Sequence, residues 1–203
     1  MTVSDIQSSA DWKKVVEFHG HVCPGLAIGF KAAGAAMDRL KEHRSEDEEL
    51  LAIVENNACG VDAVQVLTGC TFGKGNFIHH DHGKHVYSIV SRNSGRGVRI
   101  ALKAGAFQPS ERHMELIQKI RSDTATDQER AEFKTIHQAK SYELLEKPAV
   151  ELFNIESVTL EVPPKARMEP SKVCERCGEP TMASKLRTEG DSVVCRSCSG
   201  TPS

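Results

Sequence analysis

Two C-x-x-C pairs, Cys174–Cys177 and Cys195–Cys198, lie in the last thirty residues of the chain with seventeen residues between them. Each pair can grip one metal ion from a tight turn. Two such turns supply four thiolates, the closed tetrahedral set that suits Zn²⁺. A segment of about thirty residues cannot fold on apolar burial alone, so a bound ion would supply most of its folding free energy. The expectation is a structural zinc site at Cys174, Cys177, Cys195 and Cys198. The competing account is a pair of disulfides or four free thiols. Between the pairs, TMASKLRTEGDSVV reads as a hairpin turning at Glu189-Gly190-Asp191.

Upstream of this module, VPPKARMEPS carries three prolines, mixed charge and no periodicity, the composition of a linker. The expected organisation is a core domain over 1–162, a Pro-rich linker over 163–171 and a zinc-ribbon module over 172–203. A core of that length buries enough surface to fold without a staple.

Within the core, 11–20 reads as a short helix with an apolar stripe at Trp12, Val15, Val16 and Phe18, ended by Gly20. HVCPG reads as a turn, followed by an Ala/Gly-rich helix over 26–43. Residues 50–57 read as a buried strand and 60–69 as a helix. TFGKGN reads as a Gly-rich loop. Three strands follow, in NFIHHD, HVYSIVSRN and VRIALK. Helices are expected over 109–121 and 126–147, and a last strand over 149–162. The order is mixed rather than strictly alternating, so the fold class is α+β: a mixed sheet with flanking helices, plus the ribbon.

The chain has 26 Lys+Arg against 28 Asp+Glu, and 5% of it is aromatic. That balance argues against nucleic-acid coating and membrane-surface binding, and leaves few rings to stack on bases. No apolar run is long enough to span a bilayer, and the start lacks a signal-peptide pattern, so a cytoplasmic address is expected. In a reducing compartment, clustered cysteines point to metal or thiol chemistry before disulfides.

FHGHVCPG places His19, His21 and Cys23 within five residues, and Pro24 disfavours helix at Cys23. Cys59 stands at an expected strand-to-helix turn, where the helix dipole favours a thiolate. Asp62 and Gln65 lie one turn apart on that helix and are expected in the same cleft. A mixed Cys/His centre is one account: His19, His21 and Cys59 as catalytic candidates, Cys23 lining the cleft, and a second metal site that includes His21 and Cys59. Buried cysteines beside an ordinary turn are the other account. Lys74, in TFGKGN, could meet an anionic group. The histidines of IHHDHGKH read as an exposed strand end before a metal site.

The segments FHGHVCPGLAIGFKAA, ENNACGVDAVQVLTGCTFGKGN and GKHVYSIVSR together resemble the FmdE family, named for a component of formylmethanofuran dehydrogenase. The tail resembles a zinc ribbon of the DksA/TraR type. The resemblance implies an α+β core whose cleft is lined by the HVCPG and CGVDAVQ segments. It implies Cys59 as the leading functional thiol, with His19, His21 and Cys23 near it, and a homodimer. In the parent complex the molybdenum or tungsten chemistry belongs to other components, and this chain shows no ferredoxin-type cysteine run.

Two functions compete on these grounds. One is a zinc-binding accessory or redox-linked component related to molybdenum or tungsten formylmethanofuran dehydrogenase, with oxidoreductase complex components as partners and a small-molecule ligand in the core cleft. The other is a non-catalytic zinc-ribbon module that docks to protein or nucleic acid, with Lys185, Arg187 and Arg196 as contacts.

Overall fold

Gly20 and Pro24 decide where the first long helices stop and start. A computed structural model describes residues 2–165 and 168–200. The chain divides into two compact units, 1–165 and 166–203. Within the expected linker, Ala166 and Arg167 lie outside the described residues.

The first unit opens with a short helix that periodicity does not reveal, α1 (Val3–Ser8). It is held by a reciprocal capping box between Thr2 and Asp5 and buries only Ile6. Helix α2 (Ala10–His19) starts on a Ser9 cap, two residues before the expected Asp11 start, and ends at Gly20 with φ 90°. Helix α3 (Pro24–Leu40) begins at Pro24, inside the expected turn. Proline suits a first helical position because its missing N–H would have no partner there.

Strand β1 (Leu50–Val54), α4 (Gly60–Thr68), β2 (Phe77–His79), β3 (Val86–Ser91) and β4 (Arg96–Leu102) follow. Then come α5 (Glu111–Arg121) and α6 (Asp127–Glu146). The last expected strand is corrected at its start: Ala149–Leu152 forms a helical turn, α7, and β5 covers Phe153–Thr159. Pro148 occupies the N-cap of that turn.

The five strands form one sheet in the order β2-β1-β3-β4-β5, with β1 and β2 parallel and the other pairings antiparallel. This is the mixed sheet of an α+β fold. Every residue of the central strand β3 is buried. Helix α3 packs on β3, β4, α4 and α6, and buries Ala27, Gly29, Ala32, Ala33 and Ala36. Cys70 is wholly buried in this core. Among the described residues no helix is long and apolar enough to cross a membrane.

Gly29 and Gly60 make the crossing that shapes the site. A Cβ on Gly29 would stand 2.1 Å from the Gly60 carbonyl oxygen and 2.4 Å from its Cα. A Cβ on Gly60 would stand 2.5 Å from Tyr87 Oη. Only glycine lets α3 and α4 touch backbone to backbone here, and that contact draws their N-terminal ends together.

The second unit has two antiparallel ladders. One pairs β6 (Ser171–Val173) with β7 (Pro180–Met182), which the sequence did not suggest. The other pairs β8 (Leu186–Glu189) with β9 (Ser192–Cys195) across Gly190-Asp191, as the hairpin pattern implied. Its small core consists of Cys174, Val194 and Cys195, with Leu186 and Cys198 against them.

Candidate metal centres and cleft

The second unit gathers all four tail cysteines, with their sulfurs within 4.8 Å of one another. Cys177 Sγ and Cys195 Sγ are 3.9 Å apart. Tetrahedral bonds of about 2.3 Å would set each sulfur–sulfur edge at roughly 3.8 Å. The backbone builds each turn: Gly178 N–H donates to the Cys174 carbonyl, and Cys198 N–H to the Cys195 carbonyl. The Cys195 N–H donates to Cys174 Sγ at 3.2 Å. Backbone donors at Cys177 and Cys195 hold the Cys174 thiol down, to about 6, which favours the ligating thiolate. The four-cysteine set thus fits a closed metal site.

In the first unit, Gly20 turns the chain back after α2, so that His19, His21 and Cys23 converge. One donor atom from each lies within 4.8 Å of the others. The two imidazole rings are 4.5 Å apart, and Cys23 Sγ is 3.7 Å from His19 Nε2. The other nitrogen of His19, Nδ1, is 2.7 Å from Asp62 Oδ2. A carboxylate on one ring nitrogen orients the other toward a ligand, the usual support for a metal-bound histidine. Cys23 is extended, as expected before proline, and its Sγ accepts from Leu26 N–H at the start of α3. Burial pushes its thiol up to about 12, and neighbouring Cys59 adds to the rise. Without a cation, Cys23 is therefore a neutral thiol.

Cys59 lies against the start of α3: a Cβ on Gly25 would stand 3.1 Å from Cys59 Cβ and 3.8 Å from its Sγ. It stands outside the mutual 4.8 Å set, so Cys23 and His19 complete the group around His21 where Cys59 was expected. Its backbone is already helical and its side chain makes no cap. Asn56 shapes the approach, accepting from Ala58 N–H and donating to the Lys84 carbonyl. Gln65 is half-buried one turn beyond Asp62.

Lys74, expected to meet an anionic group, instead donates to the carbonyls of Ser45 and Gly69 and so closes its own loop. The histidine-rich end of β2 assembles no metal-capable group among the described residues; His82 bonds Glu55 there. Sequence reasoning missed Tyr87. Its hydroxyl is buried beside Gly60 with no partner at hydrogen-bonding geometry, and burial pushes it up to about 12 against a smaller lowering by the nearby Asn56 side chain. An orphaned polar atom next to Cys59 is what an absent ion, its water or a ligand would satisfy.

An α+β core with a His/Cys donor group, joined to a four-cysteine unit, defines a metal-binding class of protein. The family model described as "FmdE, Molybdenum formylmethanofuran dehydrogenase operon" matches residues 18–154, and the chain belongs to the FmdE family. A curated relative from Archaeoglobus fulgidus, named "Probable S-adenosyl-L-methionine-binding protein", is 36% identical over 194 residues. The match covers 91% of this chain and 51% of the relative, so the chain spans about half the relative's length. The crystal structure of a tungsten formylmethanofuran dehydrogenase FmdE-like protein from Syntrophus aciditrophicus is similar, with TM-score 0.62 and 26% identity. That match covers 98% of this chain and 92% of the other.

Proposed function

We propose that the chain is a two-metal FmdE protein in which a core ion, held by His19, His21 and Cys23, serves a small-molecule ligand beside Cys59. The observation that carries this is the convergence of those three donors, with His19 braced by Asp62. Three protein donors leave one tetrahedral position open, as reactive zinc sites do, whereas four thiolates close a structural one. Bound there, zinc would supply Lewis-acid polarisation of whatever fills the open position. The residues do the positioning: Asp62 fixes His19, the Cys23 proton must leave as the ion enters, and Cys59 stands beside Cys23.

The relatives' names support a small-molecule ligand and a role beside a molybdenum or tungsten formylmethanofuran dehydrogenase. The tail is then a structural zinc ribbon of the DksA/TraR type, and the assembly a homodimer.

Metal analysis of purified full-length protein tests the proposal. One ion should be lost with Cys23→Ser, a different one with Cys195→Ser, and both in the combined variant. Unchanged metal content in Cys23→Ser would overturn the core site.

A further inference from the structure

Next to His21 the first unit has a cleft of about 510 Å³, within the range of small-molecule pockets. Val16 of α2 and Val22 beyond it line the cleft together with Phe133, Lys134 and His137 of α6, and the two valines and Phe133 supply its apolar surface. Among the described residues, no acidic side chain lines it.

The state of His137 follows from its neighbour. His113, on α5, is 1% exposed, and its Nε2 lies 2.9 Å from His137 Nδ1. His113 Nδ1 is buried with no partner. A proton on that atom would be an orphaned buried donor, which proteins rarely tolerate. The His113 proton therefore sits on Nε2 and is donated to His137 Nδ1. His137 must then carry its own proton on Nε2, the nitrogen left for a ligand. The ring is held in place by Phe133, stacked at 4.6 Å and 30°. The Arg112 guanidinium clamps both oxygens of Glu132, tying α5 to α6 and fixing the histidine pair.

An N–H donor, an ammonium and an apolar wall, with no opposing carboxylate, select for an anion with a flat apolar body. We propose that this cleft binds a carboxylate ligand, its carboxylate on His137 Nε2–H and Lys134 Nζ and its planar body against Phe133, Val16 and Val22. The proposal rests on the metal-site reading only in placing that ligand beside the His21 ion; the cleft is formed by the protein alone.

Benzoate is the probe, with benzyl alcohol as its neutral counterpart. Methyl shifts of Val16 and Val22 are followed by NMR in the full chain, while metal content is measured on the same sample. Benzoate should saturate the shifts, and benzyl alcohol should bind about tenfold more weakly, the effect of one charge-assisted hydrogen bond. His137→Phe keeps the stacking ring but removes the donor. Lys134→Met, on the exposed face, keeps the stem without the charge and guards against a folding defect in the first variant. Each should weaken benzoate several-fold. Equal binding of both probes, absence of saturation, or unchanged affinity in Lys134→Met would overturn the proposal. Benzoate binding without a core ion would refute the metal site and leave the cleft standing. A core ion without benzoate binding would do the reverse.

Discussion

His19 Nδ1 and Asp62 Oδ2 lie 2.7 Å apart although they are forty-three positions apart in the chain. The contact ties the C-terminus of α2 to the first turn of α4 and leaves His19 Nε2 facing Cys23. Asp62→Asn keeps the shape but weakens the acceptor. Core-metal affinity should fall about 10- to 100-fold, the usual effect of losing such support. Competition against a chelator measures it, with the ribbon ion as internal control. Unchanged affinity would mean that His19 is not oriented through Asp62.

The Gly29–Gly60 crossing makes a sharper mechanical test. Gly29→Ala drives a Cβ to 2.1 Å from a backbone oxygen, so the helices must part. It should cost about 1–3 kcal/mol, the range for overpacking a core. It should also weaken core-metal binding, because Cys23 and Asp62 ride on the two helices. Gly34 is on the same helix, with no atom within 4 Å of where a Cβ would stand, so Gly34→Ala should stabilise by about 0.5–1 kcal/mol. Denaturant melts of the two variants should shift in opposite directions.

Glu129 gives a pH signature. Lys119, and then the Thr126 N–H, hold its carboxyl down to about 2. A carboxyl lowered in the folded state adds stability that is fully present above its unfolded value, about 4.3, and is lost as pH falls toward 2. The melting difference between the natural chain and Glu129→Gln should be present at pH 7 and shrink between pH about 4.5 and 2. A difference independent of pH would point to the cap geometry instead of the charge.

Cys195→Ser should release the ribbon ion and unfold residues 172–200. Their core is only a few side chains around Val194, so the metal must supply the rest. Unfolding of the 1–165 unit should keep its midpoint. A shift there would show that the two units are coupled.

Much of this was legible in the sequence because it is local. The four tail cysteines assemble from two short turns, and each turn needs only its own backbone. Helices α2 to α6 follow from apolar spacing and caps, and His19, His21 and Cys23 are neighbours in the chain. Helix α1 escaped notice because it rests on a capping box and one buried residue, too little for a period. The turn at 149–152 looked like strand because its apolar residues continue directly into β5.

Tertiary structure alone decided the rest. Asp62 meets His19, Tyr87 reaches Gly60, and His113 bonds His137 because helices and sheet bring distant segments together. Lys74 finds two carbonyls for the same reason. Residue spacing encodes which side chains share a face of one element. Which faces meet is set by how closely two backbones can approach, and at Gly29 and Gly60 that distance depends on two absent side chains.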